Sequence, residues 1–270
     1  MRIVRTVAQV REALREPRAG GERIGLVPTM GAFHAGHLAL MRAARDACDG
    51  VVVSLFVNPS QFTAAEDLAR YPRDEDGDAA IADEAGVDLL FAPTAEELYP
   101  AGFDTWVEPG ELARVLEGAA RPGHFRGVAT VCTKLFVIVE PAVAFFGRKD
   151  AQQVAVVKRV VADLDLPLEI DVVPTVRDPD GLALSSRNVF LSPAERASAL
   201  ALPQALEAGL DAHRSGADPV AAARAVLDGE RGLSVDYVAV ANLDGETLAA
   251  AVRVGGTRLI DNVRLDDPAR

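Results

Sequence analysis

Apolar positions along this chain alternate between two periodicities. Residues 23–27 form a short apolar run, and Leu38, Leu40, Met41, Ala44 and Cys48 then recur at the spacing of one helix face. Residues 51–57 (VVVSLFV) are a continuous β-branched and apolar run, the mark of a strand buried on both faces of a parallel sheet. The alternation continues with a helix over about 74–85 and strands at 87–91, 142–146 and 168–173, the last closed by Pro174. Between them a helix presents Val128, Val131, Cys132, Leu135, Phe136 and Val139 on one face. An earlier helix is predicted over 6–15, ended by 17–21. Alternation of this kind predicts an α/β fold, a Rossmann-like doubly wound parallel sheet over residues 1–175.

From residue 176 the pattern changes. Ser192-Pro193 is a capping serine with proline at the first helical position, and alanine-rich helices run to about 213 and over 219–228. Residues 234–240 read as a strand, and 251–254 and 257–261, joined by Gly255-Gly256, as a hairpin. This is a smaller C-terminal α+β domain over 176–270, expected to act as a lid with its hinge near Thr175 and Val176.

Composition narrows the function classes. Of 270 residues 49% are hydrophobic and 25% charged, and the net charge is −12, which disfavours general attraction to nucleic acid or an anionic membrane. No apolar run approaches the roughly 20 residues of a membrane span, and the N-terminus lacks the apolar centre of a signal peptide, so a cytoplasmic location is expected. Two cysteines without a CxxC pattern give no disulfide framework. The acidic cluster Asp74, Glu75, Asp76 and Asp78 reads as a solvated helix start that suits the helix dipole.

Candidate chemistry falls where strands end. Pro28-Thr29-Met30-Gly31 and His34-Ala35-Gly36-His37 lie at a strand-to-helix turn, where unpaired N–H groups and the dipole favour phosphate and two glycines permit close approach. This turn matches neither the P-loop nor the dinucleotide fingerprint, and no third ligand of suitable spacing makes the histidines a zinc site. Asn58 and Gln61 follow the next strand and face the same cleft, although a polar residue there also serves as a turn former. Arg121, His124 and Arg126 open a helix, as a second anion site or as surface cations. Gly147-Arg148-Lys149-Asp150 repeats the strand, turn and helix layout with a cation for polyphosphate, and Asp150 as a possible cap. Ser185, Ser186 and Arg187 end a turn-rich connector, where they suit phosphate or simply an exposed loop. Together these predict an ATP-using enzyme with a small polar acid beside the triphosphate.

These segments resemble, in order, the motifs of the pantothenate synthetase (pantoate:β-alanine ligase) family, a branch of the HxGH nucleotidylyltransferase superfamily. The resemblance is strongest over residues 27–188. It covers PTMG…HAGH, the NPSQF segment, RPGHFRG, FFGRKDAQQ and DGLALSSRN, with Leu184 in place of the commoner methionine and Arg148 in a variable slot. It implies ATP-dependent condensation of (R)-pantoate with β-alanine through a pantoyl adenylate, giving pantothenate, AMP and pyrophosphate. An HxGH nucleotidyltransferase acting on a phosphorylated coenzyme precursor is the alternative. By the resemblance His37, His34, Lys149 and Arg187 are catalytic. ATP is bound by Met30, Gly31, His34, Gly36, His37, Gly147, Arg148, Lys149, Asp150, Val176, Leu184, Ser185, Ser186 and Arg187. Pantoate is bound by Gln61, Gln153, His124 and Asn58, and β-alanine by Gln61. Mg²⁺ is expected on the ATP phosphates without protein side-chain ligands, and a homodimer is expected to form through the N-terminal domain.

Overall fold

The structure, a computed structural model, describes residues 1–63 and 65–266. In chain order the elements are β1 (Arg2–Val4), α1 (Val7–Ala13), α2 (Arg15–Ala19), β2 (Ile24–Thr29), α3 (Ala35–Ala47), β3 (Gly50–Leu55), α4 (Ala65–Arg70), α5 (Glu75–Glu84), β4 (Leu89–Phe91), α6 (Ala95–Leu98), α7 (Glu117–Ala120), α8 (His124–Val139), β5 (Val143–Gly147), α9 (Ala151–Asp163) and β6 (Glu169–Val173). There follow α10 (Pro193–Ala199), α11 (Ala201–Arg214), α12 (Pro219–Gly229), β7 (Leu233–Asn242), β8 (Glu246–Val254) and β9 (Thr257–Arg264). The chain divides into two compact units. One comprises Met1–Gly147 and Gln152–Val173, and the other Arg148–Ala151 together with everything from Pro174 onward. The division follows Val173, where Pro174 ends β6, and the short Arg148 segment groups with the second unit.

The first unit is built on a six-stranded sheet in the order β1-β4-β3-β2-β5-β6, every pair parallel. Alternate side chains enter opposite layers, as the period-2 pleat dictates. Leu26, Val52, Phe91 and Phe146 pack with Phe125, Leu135 and Phe136 of α8, while Val27, Val51, Val53 and Phe145 pack with Met41 and Ala44 of α3. Both sheet faces are thus covered by helices, which is the doubly wound arrangement the sequence predicted.

Where β2 meets β5 the sheet opens. The β2–β3 pairing runs to Thr29 and Leu55, whereas the β2–β5 pairing stops at Leu26 and Ala144. Pro28 fits this opening. Thr29 directs both its N–H and its carbonyl toward the β3 side, to Ser54 Oγ at 3.4 Å and from the Phe56 N–H at 3.1 Å. Its neighbour Pro28 therefore faces β5, where pairing has already ended and a missing N–H costs nothing.

Three elements depart from the sequence reading. The helix predicted over 6–15 ends at Ala13, and α2 starts at Arg15 with Pro17 inside it. Proline is tolerated there because the N–H groups of a first turn have no intrahelical partner. β1, too short for a periodicity to show, lies at the sheet edge beside β4. In the second unit β8 begins at Glu246 and runs through three alanines, so the strand is set by pairing with β7 and β9 more than by propensity. That unit holds the antiparallel order β7-β8-β9, with α11 and α12 supplying Leu202, Leu206 and Leu227 to its core.

Gly127, in the first turns of α8, is where helix and loop come closest. A Cβ there would stand 2.4 Å from the Ser60 carbonyl oxygen and 2.7 Å from Gln61 Cα, both main chain. Gly→Ala ordinarily favours a helix by about 1 kcal/mol. Gly127→Ala is instead expected to destabilise the protein by about 1–3 kcal/mol, the usual cost of overpacking. Denaturant unfolding decides; equal or greater stability would show that α8 does not need this approach.

Candidate active site

The turn after β2 is held by a carboxylate from another element. Gly31 and Ala32 both adopt positive φ, +88° and +55°. This bend points the next two N–H groups at Asp78, whose Oδ2 accepts from Ala32 at 2.8 Å and whose Oδ1 accepts from Phe33 at 2.7 Å. A Cβ on Gly31 would stand 2.7 Å from Asp78 Oδ2, so glycine is required by both the torsion and the contact. Asp78 is only 3% exposed, which corrects the reading of the whole acidic cluster as a solvated helix start. Asp74 does cap α5, accepting from the Gly77 N–H, but Asp78 faces inward. No signal in the sequence separates the two, because they differ only in which face of α5 they occupy.

The bend delivers His34 to the N-cap of α3. There His34 and His37 form a reciprocal cap: His34 Nδ1 accepts from the Gly36 N–H at 3.1 Å, and His37 Nδ1 accepts from the His34 N–H at 3.2 Å. The rings lie 4.2 Å apart between centroids. An Nδ1 that accepts carries no proton, so each neutral ring bears its hydrogen on Nε2. The two histidines are thereby fixed as Nε2–H donors at a helix N-terminus, a setting suited to phosphate oxygens.

After β3, a single turn of 3-10 helix over Pro59–Gln61 presents Gln61. Asn58 is 1% exposed and its side chain is fully engaged. Its Nδ2 donates to Gln61 Oε1 at 3.0 Å and to the Gly127 carbonyl at 3.2 Å, and its Oδ1 accepts from Ser60 and from the Tyr99 hydroxyl at 2.9 Å. The polar atoms of Asn58 thereby brace the turn that carries Gln61. Gln61 is left with its amide N–H₂ group, 3.1 Å from Met30 Sδ, which brings the loop beside the histidine turn.

His124 braces the same turn from α8. Its Nδ1 is 2.8 Å from the Gln61 carbonyl, an obligate acceptor, so Nδ1 carries the hydrogen and Nε2 accepts from Arg121 at 3.3 Å. His124 therefore supports the Gln61 backbone. Arg126 resolves as a surface cation, stacked 4.7 Å over Trp106 and 3.9 Å from Glu108.

The two adjacent glutamines opening α9 divide their work. Gln152 is buried, accepts from the Glu117 N–H, and donates to the carbonyls of Leu112 and Val115 at 2.7 and 2.8 Å. Gln153 is half-buried, and its side chain makes no hydrogen bond with another described residue, which leaves its amide open to a ligand.

In the second unit, Lys149 lies on the 3-10 turn Arg148–Asp150, with Nζ 3.7 Å from Asp150 Oδ1. The Arg148 side chain pairs with Asp244 at 3.0 Å. The connector folds back on itself, with Leu184 N donating to the Val176 carbonyl at 3.0 Å. Arg177 pins it by a bidentate pair to buried Asp261 at 2.6 and 3.0 Å. Ser185 then caps the 3-10 turn Ser186–Phe190, accepting from the Arg187 N–H at 3.2 Å. Arg177, Asp261 and Asn262 were not legible as site supports, because their partners are far away in sequence.

A family model described as pantoate-beta-alanine ligase matches residues 2–264. The pantothenate synthetase of Moorella thermoacetica is 51% identical over 98% of this chain and 99% of its own length. Pantothenate synthetase 1 of Bradyrhizobium diazoefficiens is 52% identical over 98% of each. The crystal structure of pantothenate synthetase from Thermus thermophilus superposes with a TM-score of 0.93 at 48% identity, covering 98% of this chain and 99% of that one. That of the pantoate-beta-alanine ligase from Francisella tularensis, complexed with beta-gamma ATP and beta-alanine, superposes with a TM-score of 0.85 at 35% identity, covering 99% and 98%.

Burial raises the Asp78 carboxyl above its ordinary value, with the two backbone N–H bonds pulling the other way. The folded chain then takes up this proton at higher pH than the unfolded chain, so the group's contribution to stability grows as pH falls through the raised value. Asp78→Asn does not titrate and offers one acceptor to two N–H groups. It is expected to cost about 1–3 kcal/mol at neutral pH, a gap that widens on acidification toward about pH 4. Unfolding measured across this range checks both statements, and a gap absent at neutral pH or shrinking with acid contradicts them.

Proposed function

The chain belongs to the pantoate–β-alanine ligase family, and from that premise we propose that it condenses (R)-pantoate with β-alanine using ATP, through a pantoyl adenylate, releasing AMP and pyrophosphate. The observation that carries this reading is the histidine pair held as neutral Nε2–H donors at the start of α3. Donors of fixed tautomer are what a departing pyrophosphate needs, and they are of little use as proton carriers. No general base is called for in the first step, because the pantoate carboxylate is already ionised at neutral pH.

In that step a carboxylate oxygen attacks the α-phosphorus, the bond from that phosphorus to the β,γ-pyrophosphate breaks, and negative charge grows on the leaving group. His34, His37, Lys149, Ser185, Ser186 and Arg187 are the donors proposed for this charge, with main-chain groups of Met30, Gly31, Gly36, Gly147, Asp150, Val176 and Leu184 around the nucleotide. Mg²⁺ is proposed to arrive on the phosphates, where it would add Lewis-acid stabilisation. The β-alanine amine then attacks the acyl carbon and AMP leaves. The amides of Gln61 and Gln153 hold the pantoyl group, with Gln61 also meeting β-alanine, so that rate arises from placement and charge stabilisation. His124 and Asn58 are proposed to line the pantoate pocket and to support Gln61 there.

Assembly as a homodimer in the cytoplasm belongs to the same reading. No helix among the described residues is long and apolar enough to cross a membrane.

Two measurements test the proposal. AMP release from ATP and Mg²⁺ is expected only when both pantoate and β-alanine are present, while pyrophosphate exchange is expected with pantoate alone. Release without β-alanine would point to another acceptor. His37→Ala is expected to slow pantoate-dependent exchange by roughly 10²–10³-fold, as for loss of a charge-stabilising donor, with pantoate affinity changed by less than about threefold. Equal losses in both would sink the assignment of His37 to the transition state.

A further inference from the structure

The 3-10 turn that carries Lys149 is held within the second unit by two separate contacts. Asn262, on β9, uses one amide nitrogen to donate to two successive carbonyls, Arg148 O at 3.0 Å and Lys149 O at 2.9 Å. Carbonyls only accept, so the orientation of the Asn262 amide is unambiguous. These carbonyls belong to the two peptide units on either side of Lys149 Cα, so holding both sets the direction in which the Lys149 side chain leaves the backbone. The Arg148 side chain is meanwhile paired with Asp244, which sits at φ +63° in the turn between β7 and β8. The Arg148–Lys149 segment is thereby tied both to β9 and to the β7–β8 turn of one sheet.

The details favour a purpose beyond stability. Asn262 is buried, and its Oδ1 has no hydrogen-bond partner. An orphaned buried acceptor is unfavourable, and an apolar residue would avoid it; what asparagine supplies here is the pair of donors. The strand beneath is itself braced, since neighbouring Asp261 is buried in its bidentate pair with Arg177 and accepts from the Asn262 N–H at 2.8 Å. By contrast, among the described residues the Lys149 ammonium pairs with Asp150 alone, at 3.7 Å, a separation at which an ion pair fixes little. A lysine with four rotatable bonds can be aimed only through its base.

We propose that Asn262 and the Arg148–Asp244 pair are positioning residues for Lys149, setting the backbone from which its ammonium reaches the polyphosphate. This rests on the assignment of Lys149 to phosphate in the preceding section, and the experiment separates the two. Pantoate-dependent pyrophosphate exchange is measured on the full chain for Lys149→Ala, Asn262→Ala and the double variant. Lys149→Ala is expected to lower kcat. Asn262→Ala is expected to lower kcat roughly ten- to hundred-fold, the scale of a displacement near 1 Å, with the pantoate KM within about threefold of the parent. Added to Lys149→Ala, it is expected to cost less than about threefold more, because its effect passes through a side chain already removed.

A full, multiplicative loss in the double variant would make Asn262 a general structural residue and overturn the proposal, as would an Asn262→Ala enzyme of parental kcat. Exchange unaffected by Lys149→Ala would instead remove the phosphate assignment, and the proposal with it. Should Asn262→Ala fail to fold by circular dichroism, Arg148→Met enters the same cycle, with the same expected coupling to Lys149 and the same overturning result.

Discussion

One buried carboxylate receiving two backbone N–H groups fixes the geometry on which the first unit's chemistry depends. Asp78 holds Ala32 and Phe33 in a bend that an unassisted chain would leave, because Ala32 lies in a region of backbone space that residues with a side chain seldom adopt. The bend sets where α3 begins. The start of α3 in turn sets which atoms of His34 and His37 meet main-chain N–H groups, and so which ring nitrogens carry hydrogen. A donor pattern at the mouth of the sheet is thus determined by a residue that sits in a different helix and touches no candidate ligand group.

The same economy recurs around the site. Asn58 and His124 hold the side chain and the carbonyl of Gln61, respectively; Gln152 ties down the Leu112 and Val115 carbonyls beside its half-buried neighbour Gln153; Arg177, paired to buried Asp261, anchors the connector that ends in Ser185, Ser186 and Arg187. In each case a polar group engaged within the protein braces its surroundings, and a nearby residue is left with donors to offer. For a reaction whose nucleophile is already ionised, this is an appropriate division, because rate then comes from donors held in place before charge develops. The sheet contributes the opening itself, since β2 and β5 part after Leu26 and the turn that follows β2 faces the gap.

How much of this the sequence carried depended on whether a feature was local. The apolar run at 51–57, the alternation of strands and helices, the Gly255-Gly256 hairpin and the glycine-histidine turn are encoded by neighbours along the chain, and each has its counterpart in the structure. Motif order likewise identified the family. Asp78 was misread because its role depends on a partner 46 residues away, and composition cannot tell a carboxylate facing water from one facing two N–H groups. β8 escaped in part because alanine is a poor guide to strand, and its neighbours β7 and β9 supply what propensity does not. Gly127 was visible as part of a motif, but only the close approach of the Ser60 main chain explains why that position lacks a side chain.

The central claim is that pantoate's own carboxylate attacks the α-phosphorus of ATP beside the histidine turn. Turnover of pantoate carrying ¹⁸O in both carboxylate oxygens, with mass analysis of the products, tests it most directly. The account requires one labelled oxygen to appear in AMP and one to remain in the amide carbonyl of pantothenate, in every turnover. Unlabelled AMP, or label in inorganic phosphate or pyrophosphate, would mean that a different bond is made first and that the donors at His34 and His37 serve another step.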